Sequence, residues 1–392
     1  MQLGERAMDH YDVTKEQLDL AAAALGLDLV GVVSARRLDE LEPVLRRYYD
    51  EQRDSGFEHP FSELRLHPRA LMPAVQTAIA IALPYHTASE SLRHPTGRRH
   101  GAVSVYAQRT DYHRVLKDVL SRFSALLETC AARPAQFLPC VDTSPLVDRA
   151  YATAAGLGAI GKSGMLITKT YGTYVFLGVL LTDLRVEGAD ALHGALPWGT
   201  EVCGTCDLCL TACPTGALIA PYTLDAKRCL SYITQEHGIV PPEFRVSLGR
   251  RVWGCDTCQT VCPRNEDRAA PSTFGPPVTP LAYPDLLEIL TLSNRALMKR
   301  IGHTAAAWRG PAIWRRNAIV ALGNARSVEA IPVLVTYLAH ARPELRAMSA
   351  WALAQIDPEA TRTVVRQAYD VETDEGARCE MAWAREAPDA KG

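Results

Sequence analysis

Apolar residues recur at helical spacing from Thr14 to Leu25 and from Tyr112 to Cys130, which predicts two helices with one buried face each. Around them lie short apolar runs at Leu29–Val33, Ala78–Leu83 and Tyr174–Leu181, of a length that suits buried strands. Residues 1–192 therefore read as mixed α/β, interrupted by the glycine-rich stretch Ala155–Gly164. From 193 to 270 the periodicity fades and little regular structure is expected. Pro271, Pro276, Pro277, Pro280 and Pro284 mark 271–284 as a semi-rigid linker. Residues 285–392 then read as all-helical. Ala312–Leu322, Val328–Ala339 and Glu344–Ile356 are expected to be amphipathic helices in one phase, with a stop at Gly323-Asn324 and starts near Pro332 and Pro343. Helices about 20 residues apart predict a short stack of HEAT-like pairs.

Composition narrows the class without naming a chemistry. The chain is 47% hydrophobic and 22% charged, ordinary for a globular protein, and its formal net charge of −2 gives no global basic field. A nucleic-acid partner must then be held by a local patch. The stretch from Met1 to Asp12 has no apolar core of the secretory kind. The longest apolar run, Val175–Leu181, ends at Thr182 and Asp183 and is too short to span a bilayer. A cytoplasmic protein without membrane association is expected, and a monomer.

The cysteines change the picture. Cys203-x-x-Cys206-x-x-Cys209-x-x-x-Cys213-Pro214 has the spacing of bacterial two-cluster ferredoxins. Cysteines three apart on a tight loop aim three thiolates at one cubane, and the fourth points toward a second. Cys255-x-x-Cys258-x-x-x-Cys262-Pro263 is a shorter run, and Cys229 upstream supplies its missing thiolate. Crossed ligation then assigns Cys203, Cys206, Cys209 and Cys262 to one 4Fe–4S cluster, and Cys213, Cys229, Cys255 and Cys258 to the other. Structural zinc is the competing reading, but it explains the long step before proline poorly. Cys130, Cys140 and Cys379 stand outside this set as buried or incidental thiols.

Several further stretches carry a resemblance. They are Arg65-Leu66-His67-Pro68, Leu71-Met72-Pro73, Leu83-Pro84-Tyr85, Asp111-Tyr112-His113, Val141-Asp142-Thr143-Ser144-Pro145 and the loop Ala155–Lys162. Beyond the first cysteine run come Cys229-Leu230-Ser231-Tyr232, Gln235-Glu236, Gly254-Cys255-Asp256 and Trp314-Arg315-Arg316-Asn317. With the ferredoxin run placed as it is, the chain resembles the epoxyqueuosine reductases, cobalamin-dependent iron–sulfur enzymes acting on tRNA. The match covers roughly residues 15 to 355. One departure is Arg109-Thr110, where the family usually has Gly-Arg.

The resemblance implies an α+β multidomain chain. An α/β cobalamin- and substrate-binding domain occupies 1–192, and a ferredoxin-like domain with two 4Fe–4S clusters occupies 193–270. After the linker 271–284, HEAT-like repeats at 285–392 grip tRNA. The implied substrate is epoxyqueuosine at the wobble position of tRNAs with GUN anticodons (Asp, Asn, His, Tyr), with electrons from a low-potential donor.

Asp142 corresponds to the family's proton donor. To donate near neutral pH its carboxyl would be raised by burial; a turn or cap Asp before Pro145 is the plainer alternative. Arg65, Tyr112, His113, Lys162, Ser231 and Gln235 are the implied cofactor-binding residues. Around Lys162 the glycine spacing is not that of a Walker loop, and a tight strand–turn is the other reading. Arg315, Arg316 and Asn317 are the implied nucleic-acid contacts, within a cationic span that includes Arg295, Lys299, Arg300 and Arg309. Such a run also fits a solvated charged face. A corrinoid reductive-dehalogenase relative and a non-catalytic electron carrier or tRNA scaffold are the rival readings.

Overall fold

The computed structural model describes residues 11–86, 99–131, 133–190, 200–266 and 281–387. The 192–193 boundary and most of the proline-rich 271–284 stretch lie outside these residues.

Thr14 starts the first helix by a capping box. Its hydroxyl accepts from the Gln17 amide, and the Gln17 side chain accepts from the Thr14 amide. The helix runs Lys15–Ala24, and the second expected helix runs Tyr112–Ala131. Strands Val30–Ser34, Thr77–Pro84 and Val175–Thr182 fall within a residue of the apolar runs. A fourth strand, Phe137–Cys140, was not legible, being short and carrying Pro139. It sits at the sheet edge, where proline's missing donor is tolerated. In space the order is Val30–Ser34, Thr77–Pro84, Val175–Thr182, Phe137–Cys140, and every neighbouring pair is antiparallel.

The central strand is buried throughout because both faces are covered. Ile79, Ile81 and Leu83 join a core with Leu116, Leu120 and Phe123 of helix Tyr112–Ala131. Ala78, Ala80 and Ala82 join the opposite core, with Tyr151 and Ala152 of helix Asp148–Ala154. Their small side chains leave room for a close helix.

The cysteine segment contains more regular structure than its sequence announces. Short helices Thr200–Cys203, Leu208–Ala212, Leu230–Ile233 and Thr257–Thr260 hold or adjoin the cysteines. Strand Arg251–Trp253 pairs in parallel with Ala102–Val103. A buried polar knot also ties it to the first domain. The Gln259 amide nitrogen donates to the Tyr85 hydroxyl and to the Thr173 carbonyl, and Asn265 donates to the Thr173 hydroxyl.

Helices Gly310–Asn324, Ile331–Tyr337, Pro343–Ile356, Pro358–Val371 and Glu375–Arg385 form the C-terminal stack. The expected amphipathic stripe is absent from Gly310–Asn324, whose residues 313–323 are all buried. The reason is position. This helix lies between the cysteine segment and helix Pro343–Ile356, and Trp314 stacks on Trp253 at 6.2 Å between ring centroids. Burying an indole removes on the order of 200 Å² from water, worth roughly 5 kcal/mol before the entropy cost. One apolar core runs from Val103 through Trp253 to Met381, so the cysteine segment and the helical stack share it. No helix among the described residues is long and apolar enough to cross a membrane.

Candidate functional site

The loop after strand Phe137–Cys140 and the start of helix Tyr112–Ala131 bring three polar side chains together. The His113 Nε2 lies 2.7 Å from one Asp142 carboxylate oxygen, and the Tyr112 hydroxyl donates to the other. On its far side, the His113 Nδ1 is 2.6 Å from Asp111 Oδ1. Tyr112 is itself held flat between His113 and Phe176, at 4.1 and 4.2 Å between centroids.

The electrostatics follow from this packing. Burial alone would lower the His113 imidazole, but hydrogen bonds to Asp111 and Asp142 outweigh it and lift the group to about 9. Burial and then the Asp142 charge push the Tyr112 phenol far above its usual range, so it stays a donor. Asp142 differs from expectation. Its side chain is 46% exposed, not buried.

These residues line a cavity of about 670 Å³ closed on the other side by Tyr106, Gln235, Thr304 and Trp308. A second cavity of about 480 Å³ is walled by Arg65, Ser163, Gly164 and Tyr222. The two share Phe57 and Asp142. Each also borders the cysteines. Tyr106 is close enough to Cys229 to feel its charge, and Tyr222 likewise feels Cys203.

All eleven cysteines are free thiols. Cys209 faces Cys203 and Cys262, and Cys262 faces Cys203 and Cys206. Cys258 faces Cys229 and Cys255, and Cys229 faces Cys255 and Cys213. Cys258 also feels Cys209, so the eight thiols lie in one neighbourhood rather than in two separated groups. Burial pushes the thiols of Cys209, Cys229, Cys258 and Cys262 up, and Cys213 goes the other way. Burial opposes ionisation of Cys213, yet the amides of Leu218, Thr215 and Ala217, with the Thr215 hydroxyl, pull its thiol below the usual value. The Lys162 amide donates to the Cys203 sulfur at 3.4 Å. Such N–H donors are among the levers that set cluster potential.

The other expected residues fall in different places. Arg65 is buried and donates to the Tyr49 hydroxyl and the His59 carbonyl, while its Nε has no hydrogen-bond partner among the described residues. Gln235 lies on the larger cavity's wall, where its amide nitrogen donates to the Ser231 carbonyl at 2.8 Å. Ser231 thus supports Gln235. The loop at Lys162 is a tight turn. A Cβ on Gly158 would sit 2.4 Å from the Ile167 carbonyl oxygen, and one on Gly161 would sit 2.5 Å from the Ile167 side chain.

Arg315, Arg316 and Asn317 require a correction. They are not an exposed phosphate-binding stripe. Asn317 is 0% exposed and Arg316 1%. Arg316 donates to the carbonyls of Ile233, Glu236 and Gly238, and Asn317 to those of Thr234 and Val252. Arg315 donates to the Leu292 carbonyl and the Asn294 side chain. Their donors are spent on orphan carbonyls of the cysteine segment and the neighbouring helix ends, which is why such polar residues are buried. Arg109, at the departing position, is likewise buried and donates to the Tyr85 carbonyl.

Four residues of the site were given no role from sequence. Asp111 was signalled by its spacing of two from His113. Phe57, His59 and Trp308 carried no signal, since only the fold brings residues so far apart to one rim.

The comparisons with known proteins point to a family. Residues 65–143 match the family model described as epoxyqueuosine reductase QueG, DUF1730. Residues 202–265 match a 4Fe–4S double cluster binding domain, and 309–384 match HEAT repeats. The epoxyqueuosine reductase of Bacillus subtilis is 36% identical over 96% of this chain and 97% of its own length. That of Escherichia coli is 34% identical over 84% of this chain and 86% of its own. A crystal structure of epoxyqueuosine reductase with an epoxyqueuosine-modified tRNA-Tyr stem loop superposes with a TM-score of 0.87 at 35% identity, covering 95% of this chain and 98% of that one. A Bacillus subtilis structure, with its catalytic aspartate loop swung out of the active site, gives a TM-score of 0.86 at 34% identity, covering 95% and 98%. The chain is an oxidoreductase that belongs to the epoxyqueuosine reductase family.

Proposed function

We propose that this chain reduces epoxyqueuosine to queuosine at the wobble position of GUN-anticodon tRNAs in the cytoplasm. Two 4Fe–4S clusters and cobalamin, when bound, would supply the reducing chemistry, with electrons from a low-potential donor. The overall change takes two electrons and two protons, turns the epoxide into an alkene and releases its oxygen as water.

The observation that carries this reading is the Asp111–His113–Asp142–Tyr112 array, set in a cavity whose wall also borders the cysteine quartets. Asp142 is the proton donor to the epoxide oxygen. His113, protonated below about 9, resupplies the carboxylate across the 2.7 Å contact. Asp111 fixes the imidazole tautomer, and Tyr112 orients the second Asp142 oxygen. The exposure of Asp142 fits a loop that swings, as in the Bacillus subtilis relative.

The smaller cavity fits cobalamin in its donor chemistry. Arg65 presents a buried, unpaired Nε there, the kind of donor a corrin amide would accept from. Arg65, with Tyr222 and the Ser163–Gly164 backbone, would hold the cofactor, and Gln235 would close the neighbouring cavity. Cobalamin in that place supplies a strongly nucleophilic, low-potential cobalt. Residues 1–192 then bind cofactor and substrate, 193–270 conduct electrons, and 285–392 support the RNA. There Arg295 and Lys299 are exposed and take over the phosphate role from the buried Arg315 and Arg316.

The test is anaerobic reconstitution with iron, sulfide, cobalamin and a strong reductant, then nucleoside mass spectrometry on an epoxyqueuosine stem-loop. Queuosine should accumulate only with cobalamin present, in protein holding about eight irons per chain. Conversion without cobalamin, or zinc in place of iron, would overturn the proposal.

A further inference from the structure

Large aromatic side chains left in solvent are unusual unless they meet something, and three are exposed among the described residues: Phe57, Trp308 and Trp383. Two of them stand at the mouth of the larger cavity. Trp308 is 53% exposed and Phe57 38% exposed, and they meet edge to face at 5.2 Å between centroids. Trp308 and Phe57 both line the cavity that holds Asp142 and His113.

This patch is rigid and carries charge. The Arg309 guanidinium lies 3.7 Å from the Trp308 ring centroid and 4.6 Å from that of Phe57. Its Nη1 is 3.0 Å from His237 Nε2, and its Nε is buried with no hydrogen-bond partner among the described residues. The indole N–H donates to the Gln235 side-chain Oε1 at 2.9 Å, fixing the ring's orientation. Phe57 is backed by Tyr232 at 5.0 Å. An indole held by a hydrogen bond and a guanidinium, with over half its surface in water, is prepared for a flat partner.

We propose that Trp308, braced by Arg309 and Phe57, is a stacking platform for the unpaired RNA base next to the nucleotide that enters the cavity. This rests on the RNA reading above. A nucleotide that leaves its stack to reach Asp142 exposes its neighbour, which costs a few kcal/mol of lost stacking unless another π-face replaces it. Trp308 offers that face beside the point of entry. The Arg309 charge suits both the base's π-cloud and the adjoining phosphate. Stacking tolerates any base, which suits a substrate set defined by the modified nucleotide.

The experiment measures binding and turnover of an epoxyqueuosine anticodon stem-loop by the reconstituted holoenzyme, comparing wild type with Trp308→Ala and Trp308→Phe. Iron content checks that each variant is intact. Trp308→Ala should raise Kd and KM about tenfold, within the range for loss of one base stack, with kcat at saturation nearly unchanged. Trp308→Phe should recover most of that loss. A stem-loop made abasic at the nucleotide flanking the modified one should weaken wild type but add little to Trp308→Ala. Wild-type Kd and KM in Trp308→Ala with full iron overturns the platform, as does equal weakening of both proteins by the abasic loop. If wild type fails to convert epoxyqueuosine while Trp308→Ala still loses RNA affinity, the reaction assignment falls and the platform stands.

Discussion

His113 with Asp142, and Arg316 with Asn317, are both polar groups set in otherwise apolar surroundings, and sequence reading gave both a functional contact. The structure treats them in opposite ways. His113 and Asp142 spend their hydrogen bonds on each other, on Asp111 and on Tyr112, and keep an edge in an open cavity, with 26% and 46% of their side chains exposed. Arg316 and Asn317 spend theirs on backbone carbonyls and disappear into the core. A polar side chain is available for chemistry when its partners are titratable and its environment is open. It is structural when its partners are carbonyls that would otherwise be orphaned. Both arrangements are physically demanding, and they fail differently when cut.

The largest effect should come from Asp142→Asn. It keeps shape and hydrogen bonding but removes the transferable proton, so turnover should fall by about 10² to 10⁴-fold. Iron content and melting temperature should hardly move. Turnover within threefold of wild type would place Asp142 with the structural class.

Asn317→Ala should do the reverse. It strands the Thr234 and Val252 carbonyls in the core, and at about 1–3 kcal/mol for each unsatisfied group the loss should total roughly 2–6 kcal/mol. Chemical denaturation should show this, with turnover per intact cluster preserved. Unchanged stability would mean the carbonyls find water.

His113 sharpens the comparison through pH. Its folded value, about 9, lies above the usual 6.5. The raised value means the charged imidazole is favoured in the fold. Its contribution to stability and to proton supply is therefore complete below 6.5 and lost as pH rises through about 9. Wild-type turnover should drop along an alkaline limb near that value, and His113→Gln should be slow at all pH and lack the limb. A limb that survives in His113→Gln belongs to another group.

The smallest effect is expected at Arg315. Because its guanidinium is committed to Leu292 and Asn294, Arg315→Gln should leave the salt dependence of stem-loop binding unchanged. A true phosphate contact would lower the log–log slope by about one.

The sequence by itself determined three of the four sheet strands and two helices of the first domain, Lys15–Ala24 and Tyr112–Ala131, because their signal is local. An apolar run reads as a buried strand wherever it packs, and a Thr-x-x-Gln start caps a helix by itself. It also gave away the double-cluster segment, since the spacing of cysteines along a loop is a local signal. What only the tertiary structure decided was which polar residues face the cavity. Helix Gly310–Asn324 was expected to be amphipathic, yet a helix between two layers has no solvent side, and its arginine turned inward to meet carbonyls some 80 positions away. Phe57 and Trp308 share a rim only because the chain folds back on itself. Burial and partnership are long-range properties, set by what packs on the far side of an element, and no window of sequence contains them.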